Sequence, residues 1–520
     1  METGIMAALA ARSNRTVSTS AVRCALFGLV CAVVAVPVSA APVLGDAQLL
    51  DRLTWGIDAD SVRDIGGSGA SRWLDAQLRP TSSALPPVAQ AQIDAMRIGR
   101  EPLARLVVEM DAQNKAANAI ADPAQKKIAR DAYNKTMSDL GREAQSRSLL
   151  YDLYAPDQLR EQMTWFWFNH FNVQADKRDI RAMVGDYEDQ AIRPHALWRF
   201  RDLLEATLRH PAMLRYLDND QNAANHINEN YAREIMELHS MGVGSGYTQK
   251  DVQELARILT GVGVDLKPDS PKLKPQWQPL YLRAGLFEFN PARHDFGDKI
   301  FLGHDIPGEG FGEVERALDL IAAAPATANH VSAELAAYFL GAPPPPPLVA
   351  RMAASFRHSD GDIATVLRTL FRSPEFKASL GRGFKDPVHY AVSAVRLAYG
   401  DRVILNADPL SGWLQRMGEG LFAHETPDGY PIAASAWSGP GQMETRFEIA
   451  RSIGGGAAGL FKPRDGSAPE QPAFPQIENA LFFQLLQPHL TPSTTQVLAQ
   501  ATSQQEWNTL YLSSPEFMRR

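Results

Sequence analysis

Histidine and carboxylate side chains recur inside otherwise apolar, periodic segments between Leu159 and Gly303, and these are the residues that could do chemistry. Polar and ionisable groups are costly to bury, so in such segments they are usually paired, hydrogen-bonded or functional. The candidate catalytic residues are His170, Glu234, His294 and Asp295. The candidate binding residues are Asn169, His170, Asn230, Arg233, Glu234, Glu237, His239 and Arg293. Their types alone specify neither a reaction nor a substrate.

Two carboxylates about one helical turn apart, Glu234 and Glu237, could ligate a divalent cation together with nearby imidazoles. The candidate metal ligands are His170, Glu234, Glu237, His239, His294 and Asp295. Their spacing does not match the His-Glu-x-x-His pattern of zinc peptidases. A metal-dependent hydrolase, whose ion lowers the pKa of a bound water, is therefore one hypothesis. It requires these side chains to converge within ~5 Å, so that they can share one ion.

The same positions also have structural interpretations. His170 follows aromatic residues at helical spacing, and a buried neutral histidine bonded to a neighbour is the more common arrangement there. Glu234 and Glu237 could form a solvated acidic face, with Arg233 paired to Glu237. Alternatively, Arg233, Glu234 and Asp295 could form a buried ion-pair network that joins a helix to a hairpin.

A loop similar to a calcium site precedes the acidic helix. Asp218, Asp220 and Asn222 match positions 1, 3 and 5 of the EF-hand pattern, and Glu229 matches position 12. Position 6 requires glycine for its sharp turn, but Ala223 stands there. The segment is therefore either a calcium loop or a polar interhelical loop whose Asn and Asp side chains cap helix ends.

Helices are the elements that must position these residues, because apolar residues recur mostly at three- and four-residue spacing. Thr248 and Ser503 each begin a sequence typical of a helix-initiating capping box. Extended structure is predicted only near residues 281–289 and 299–302, as one hairpin beside Arg293–Asp295. The predicted fold is mainly α, a multi-helix bundle-like architecture in two packed lobes with one small β-hairpin.

Four segments are predicted along the chain. Residues 1–40 form a signal peptide, and residues 41–342 form an N-terminal helical lobe that carries the candidate site. Five consecutive prolines at 343–347 predict a polyproline II linker, which cannot be helical. Residues 348–520 form a C-terminal helical lobe. Two lobes are expected because about 480 residues exceed the usual size of a single core.

The N-terminal sequence predicts export. Arg12, Arg15 and Arg23 precede an apolar run over residues 25–36, and small residues follow up to Ala40. The protein is therefore expected to be periplasmic or secreted, with cleavage near Ala40/Ala41. The apolar run is too short to span a bilayer, and no later segment reaches the ~18 apolar residues of a spanning helix. No membrane span is expected after the signal is removed.

Composition excludes several functional classes. Both cysteines, Cys24 and Cys31, lie in the predicted signal, so the mature chain would have no disulfide, thiolate nucleophile or zinc–cysteine site. The formal net charge is −7. An acidic protein is poorly suited to nonspecific nucleic-acid binding, which relies on basic contacts to phosphates. No nucleic-acid partner is expected.

Several motifs resemble those of the bacterial "domain of unknown function 1800" family of exported proteins. They are Trp167–Phe171, Asn228–His239, Gly246–Gln249, Arg293–Asp295, Phe301–Gly303, Pro427–Pro431 and Ser514–Phe517. The resemblance covers nearly the whole mature chain and implies an exported, mainly helical protein. It brings no established reaction, substrate or catalytic residue. It also implies a candidate partner, an exported "domain of unknown function 1501" protein that resembles the alkaline-phosphatase/sulfatase superfamily.

Two functions are consistent with these observations. The first is an extracytoplasmic binding or accessory protein that works with a partner protein and uses a polar cleft bounded by His170, Glu234, His239 and His294. The second is the metal-dependent hydrolase with a His/Glu/Asp cluster. We favour the first. The cofactor is unknown, and one divalent metal ion is expected only under the second.

Overall fold

The computed structural model describes residues 44–520 except residues 82–83, 401 and 472. The predicted signal peptide, its cleavage position near Ala40/Ala41 and both cysteines lie outside the described residues. All described residues belong to one compact unit. Among them, no helix is long and apolar enough to cross a membrane.

The predicted mainly α fold is confirmed. The first helices are α1 (Leu44–Leu53), α2 (Ala59–Ser68), α3 (Ala70–Leu78), α4 (Pro87–Ala95), α5 (Arg97–Arg100), α6 (Leu103–Ala119), α7 (Pro123–Tyr154) and α8 (Gln158–His170). They are followed by α9 (Val184–Asp186), α10 (Phe200–Arg209), α11 (Pro211–Tyr216), α12 (Asn230–Glu237) and α13 (Gln249–Ile258). A π-helical segment, Tyr187–Ile192, follows α9.

The remaining helices lie after the strands. They are α14 (Phe311–Ala323), α15 (Pro325–Leu340), α16 (Pro346–His358), α17 (Ile363–Phe371), α18 (Pro374–Ser379), α19 (Pro387–Tyr399), α20 (Asp408–Arg416), α21 (Pro440–Gly454), α22 (Pro492–Leu498) and α23 (Gln504–Leu512). A second π-helical segment covers Phe482–Leu486. Short 3₁₀ turns connect several elements, at Ile180–Ala182, Arg193–His195, Asn219–Gln221, Gln278–Leu280, Pro291–Arg293, Ala434–Ala436 and Gln487–His489.

Five short strands form two small antiparallel sheets among the described residues. They are β1 (Val262–Val264), β2 (Leu282–Ala284), β3 (Phe287–Phe289), β4 (Lys299–Phe301) and β5 (His304–Ile306). The two predicted extended segments do not form one hairpin: residues 281–289 contain the β2–β3 hairpin, and residues 299–302 contain β4, which pairs with β5. Strand β1 adds to the first hairpin by pairing with β3, with Val262 opposite Phe289. The sequence predicted one hairpin, because three-residue strands are too short to show alternating polarity.

The proline run begins outside a helix and ends inside one. Gly341 ends α15 in the left-handed conformation, and α16 begins at Pro346. Pro346 and Pro347 occupy the first turn of α16, where a missing N–H costs no intrahelical hydrogen bond. The prediction that residues 343–347 are all non-helical is therefore wrong for these two. Helices α15 and α16 pack against each other across the run. The division into two lobes at this run stays a prediction.

Helix α8 lies in the core and carries the first candidate residues at its C-terminal end. Its aromatic residues Phe166 and Trp167 are almost completely buried, and so is Phe171, which follows the helix. The Trp167 indole N–H donates to the carbonyl of Ala196 at 2.9 Å, so its one polar group is satisfied. Polar residues of α8, among them Glu161 and Gln162, are buried as well, so the helix is surrounded by other elements on nearly all its faces. Its last residues therefore lie where several elements meet.

Candidate functional site

His170 is the last residue of α8 and is held by the end of α12. Its Nε2 lies 3.0 Å from the carbonyl oxygen of His239. Because a carbonyl only accepts hydrogen bonds, Nε2 donates and Nδ1 is the unprotonated acceptor nitrogen. Burial, and then the neighbouring His330, lower the pKa of His170 to about 3, so the ring is neutral at neutral pH. This histidine can accept a hydrogen bond but does not supply a positive charge.

His239 is fully buried, and neither ring nitrogen has a hydrogen-bond partner among the described residues. Its ring centroid lies 5.0 Å from that of Phe171 and 6.2 Å from that of His170. Burial lowers the pKa of His239 well below its ordinary value. The Nε2 of His330 lies 3.2 Å from the carbonyl of Leu238. His170 and His330 therefore satisfy carbonyl groups at the C-terminal end of α12, which no intrahelical bond reaches.

Asn169, next to His170, fixes a distant loop onto α8. Its Nδ2 donates to the carbonyl of Tyr430 at 2.9 Å, and its Oδ1 accepts from the Tyr430 N–H at 2.7 Å. The neighbouring Gly429 has a φ of 70°, and a Cβ there would overlap the Asn169 carbonyl. This position therefore requires glycine, both for its backbone conformation and for its close approach to α8.

Two further side chains hold the same loop, residues 420–432. Asn172 Nδ2 donates to the carbonyls of His424 and Thr426 at 3.1 and 2.8 Å. The Tyr216 hydroxyl donates to the carbonyl of Glu425 at 2.7 Å. Because these bonds are accepted by backbone carbonyls, they hold the path of the 420–432 loop independently of the identity of its side chains.

An open cavity of about 500 Å³ lies between α8, α15 and the 420–432 loop, and we call it the His170 cleft. Its polar lining residues are Asn169, His170, Glu334, His424, Thr426 and Asp428. Phe166 and Tyr430 add aromatic surface. The charged residues among the described lining residues are Glu334 and Asp428, and none of the lining residues is a lysine or arginine. Both carboxylates and His424 were missed in the sequence, because single polar residues in a loop or on an amphipathic helix give no periodic signal.

Glu234 is within electrostatic range of this cleft. Burial raises its pKa, and Glu237 and then Asp428 also act in that direction. The charge of Arg233 partly opposes this rise, but the ion pair of Arg233 is with Glu229. The Arg233 Nη2 lies 3.1 Å from the carboxylate of Glu229 and also bonds a glutamine. Arg233 was expected to pair with Glu237, but it pairs with Glu229, four residues before it.

Two other predicted binding residues hold backbone segments. Asn230 Nδ2 donates to the carbonyl of Leu217 at 3.2 Å. Arg293 Nη2 donates to the carbonyl of Asp220 at 2.8 Å and lies 3.3 Å from that of Asn222. Both side chains therefore fix the segment before α12 through these nitrogen atoms.

His294 belongs to a separate, buried charge cluster. Its Nε2 lies 2.8 Å from Glu313 Oε1, its Nδ1 lies 2.8 Å from the carbonyl of Thr260, and the Lys299 ammonium donates to Glu313. The side chains of His294, Lys299 and Glu313 are all fully buried. Burial alone would raise the pKa of Glu313, but hydrogen bonds from His294 and Lys299 outweigh it, and the pKa is lowered. Lys299 was missed because residues 299–302 were predicted only as extended structure, and Glu313 was missed because nothing in its local sequence marks it as a partner of His294.

Asp295 forms a two-point ion pair with Arg257. Arg257 Nε and Nη2 lie 2.8 and 3.2 Å from the two carboxylate oxygens. This pairing is the largest effect that lowers the pKa of Asp295. The predicted network of Arg233, Glu234 and Asp295 is corrected accordingly, because Arg233 bonds Glu229 and Asp295 bonds Arg257. The two-point contact between Arg257 and Asp295 holds the segment before β4 against α13.

The six candidate metal ligands divide between these two regions. His170 ends α8 and contacts the residue His239 just after α12, and Glu234 and Glu237 lie on α12, whereas His294 and Asp295 bond Glu313 and Arg257. Among the described residues, no three His, Cys, Asp or Glu side chains form a group that could hold a metal ion. This geometry gives the metal-dependent hydrolase no support, and that function stays a prediction.

The calcium-like loop is held by partners within the protein. Asp218 accepts from a lysine ammonium at 2.9 Å, and Asp220 accepts from two guanidinium nitrogens of Arg178 at 3.1 and 2.9 Å. The Asn222 side-chain oxygen accepts from a backbone N–H at 2.9 Å, and Glu229 accepts from a glutamine at 2.7 Å. These bonds are those of a polar interhelical loop. Calcium binding by Asp218, Asp220, Asn222 and Glu229 stays a prediction.

A second cavity, of about 510 Å³, lies between α1, α19 and the C-terminal residues. Its wall includes an ion pair of Lys385 with Asp51 at 3.1 Å, together with Glu516 and Phe517 of the Ser514–Phe517 motif. No residue of the predicted site lines it. Of the four residues predicted to bound a polar cleft, His170 lines the His170 cleft, whereas Glu234, His239 and His294 are not among its lining residues.

Comparison with known proteins identifies one family. The sequence profile described as "Protein of unknown function (DUF1800)" matches residues 48–519, which is nearly the whole chain. No curated protein and no solved structure gives a match. The resemblance seen in the separate motifs is therefore confirmed over their full span.

Proposed function

We propose that this chain, which belongs to the DUF1800 family of proteins of unknown function, is an extracytoplasmic binding or accessory protein that uses the His170 cleft. One geometric relationship supports this function. The end of α8 and the 420–432 loop are fixed to each other through backbone-directed hydrogen bonds, and a cavity of about 500 Å³ remains between them and α15. Pockets of roughly 300–1,000 Å³ with a few placed polar groups are typical of ligand sites.

The polar lining of the cleft favours a ligand that donates hydrogen bonds. Glu334 and Asp428 are acceptors when ionised, and Nδ1 of the neutral His170 is also an acceptor. No positive side chain among the described lining residues would neutralise an acidic ligand. The faces of Phe166 and Tyr430 suit apolar or ring-shaped parts of a ligand. The ligand class that fits is an uncharged or cationic molecule with hydroxyl or amine groups.

The cleft is arranged before any ligand enters. The bonds from Asn169, Asn172 and Tyr216 hold the loop wall in place. A preformed wall reduces the conformational entropy that binding would otherwise cost. This is what a dedicated binding protein requires.

Export and partnership are further parts of the proposal. The N-terminal sequence supports a cleavable signal at residues 1–40, and N-terminal sequencing of the periplasmic or secreted protein should begin near Ala41. The proposed partner is an exported "domain of unknown function 1501" protein, for which the support is the family resemblance. Co-purification of the two tagged proteins from one exporting strain would test it.

A thermal-shift panel tests the binding function directly. The probes are glucosamine, maltose, spermidine and citrate, applied to the mature protein and to the double variant Glu334→Gln/Asp428→Asn. We expect an amine or hydroxyl probe to raise the Tm of the wild type and to raise that of the double variant less, while citrate has no effect. Glu315→Gln, an exposed carboxylate outside the cleft, is the control. Equal shifts in both proteins, or no shift with any probe, would contradict the proposal.

A further inference from the structure

Glu419, at the base of the 420–432 loop, is buried with one carboxylate oxygen unpartnered. The residue is 1 % exposed, and its Oε2 accepts from the backbone N–H of Val388 at 3.0 Å. Its Oε1 has no hydrogen-bond partner within the part of the chain that the structure describes. An ionised carboxylate in this position would lack the donors that compensate for lost hydration. The geometry therefore suits the neutral carboxylic acid.

Glu419 lines a small internal cavity of about 20 Å³, which is enough space for about one water molecule. Glu188 lines the same cavity from the π-helical segment. The two oxygens of Glu188 accept from Ser148 at 2.8 Å and from Arg193 at 3.1 Å. Of the two carboxyl groups, Glu419 is therefore the one left incompletely bonded.

Charged groups of both signs surround Glu419. Asp386 lies at the start of α19, where it is bonded to His389 at 2.6 Å. Burial, and then Asp386, raise the pKa of Glu419 well above its ordinary value, whereas Arg446 and Arg520 oppose this shift. The neighbouring hydroxyls are those of Tyr338 and Tyr430.

The two arginines near Glu419 make their hydrogen bonds elsewhere. Arg446 Nη2 donates to the carbonyl of Lys385 at 2.7 Å. Arg520 Nη1 lies 3.3 Å from the side-chain oxygen of Gln162, and its Nη2 lies 3.3 Å from the carbonyl of Tyr338. Neither guanidinium donates to Glu419, so its Oε1 stays uncompensated.

The cavity walls beside Glu419 belong to the loop that forms the cleft. Gly420, Phe422 and Tyr430 line it, and the Tyr430 hydroxyl donates to the Gly420 carbonyl at 2.9 Å. Phe422 has a φ of 61°, a strained conformation for a bulky residue, and its carbonyl accepts from Ala175 at 2.8 Å. Hydration of an ionised Glu419 would require this cavity to widen. The walls that would move are the strained start of the 420–432 loop and Tyr430.

We infer that Glu419 is a proton-dependent latch: the neutral acid keeps the 420–432 loop docked on α8, and ionisation of Glu419 releases the loop. The inference rests on the proposed function, because this loop is one wall of the proposed ligand site. Release of the loop at high pH would remove one wall of the His170 cleft, and docking of the loop at low pH would restore that wall. Binding would then depend on pH through a group that does not touch the ligand.

Hydrogen–deuterium exchange of the mature full-length protein tests the latch without any ligand. Two amides report docking, that of Tyr430, which donates to Asn169, and that of Ala175, which donates to Phe422. After correction for intrinsic exchange, their protection in the wild type should fall by about tenfold or more between pH 5 and pH 9. In Glu419→Gln, which mimics the neutral acid, protection should not change with pH. Glu425→Gln, in the same loop, is the control and should behave as the wild type.

Two results would overturn the latch. One is constant protection of both amides in the wild type across this pH range, and the other is an equal fall in Glu419→Gln. If Glu419→Gln does not fold, Glu419→Leu is the second non-ionisable variant. Should neither fold, the wild type alone still decides, because constant protection of both amides between pH 5 and pH 9 excludes the latch. Since no ligand is used, the latch can fail while the thermal-shift panel still supports binding.

Discussion

Asn169 holds Tyr430 through both backbone groups of that residue, although 261 positions separate the two in the chain. The side-chain amide thus replaces the two hydrogen bonds that a neighbouring strand would make. It joins two of the family motifs, one at the end of α8 and the other at Pro427–Pro431. His170, the next residue, then faces the cleft that the docked loop completes.

Asn169→Ala should destabilise the protein by roughly 2–4 kcal/mol, because it leaves the Tyr430 N–H and carbonyl without their partner. Urea unfolding at neutral pH measures this change. Asn118→Ala removes an exposed amide of the same type and should cost less than about 0.5 kcal/mol. If the two variants were equally stable, the hydrogen bonds between Asn169 and Tyr430 would not contribute to the stability of the fold.

Glu313→Gln should be among the most damaging single substitutions in the chain. It leaves the buried Lys299 ammonium without its counter-charge, a change that typically costs about 3–5 kcal/mol. The exposed Glu315→Gln, on the same helix, is the matched control. Differential scanning calorimetry should show a large fall in Tm for Glu313→Gln alone. A normal Tm for that variant would mean that Lys299 is not held as an ion pair.

The stability of the protein should fall as pH drops below about 6.5, in part because of His239. Burial lowers the pKa of His239 in the folded state, so between that value and the unfolded value the unfolded chain binds more protons and is favoured. His239→Phe should therefore lose less stability than the wild type between about pH 6.5 and pH 4. The exposed His304→Gln should follow the wild type. Parallel curves for His239→Phe and the wild type would show that His239 is not buried as a neutral ring.

Removal of divalent metal should leave the Tm unchanged. The described residues contain no group of three His, Cys, Asp or Glu side chains that could hold an ion, and the acids of the calcium-like loop are already paired. Metal analysis of protein purified without added metal, with melting curves before and after EDTA, checks this expectation. About one equivalent of a transition metal would favour the hydrolase instead. Stoichiometric calcium would point to the Asp218–Glu229 loop.

Local features of the fold were predictable because their partners lie close in the sequence. Thr248 forms the predicted capping box, with Thr248 and Asp251 each bonding the backbone of the other. Ser503 caps α23, but the Glu506 carboxylate bonds Thr502 rather than completing the box. In a complete capping box, Glu506 would accept from the N–H of Ser503, but it accepts from that of Thr502, one residue earlier. A pattern can specify the cap residue without specifying every partner.

The site was only partly predictable. Asn169 and His170, two of the predicted site residues, do line the His170 cleft, and the sequence singled them out because polar residues among buried aromatic ones are conspicuous. Glu334 and Asp428 were not, since a carboxylate on a half-exposed helix or in a loop looks like ordinary surface. The predicted grouping of His170 with His294 does not occur as hydrogen bonds, because each histidine bonds another partner.

The sequence by itself determined the helical class, the positions of caps and breaks, the family and the segment in which polar groups would be buried. Periodicity and capping depend on residues three or four apart, and these contacts are the same in any helical fold. Only the tertiary structure decided which polar groups meet. Tyr430 reaches Asn169, and Glu313 reaches His294, through the path of the whole chain. Since a buried polar group must find a partner wherever the chain brings one, its partner follows from packing and not from spacing.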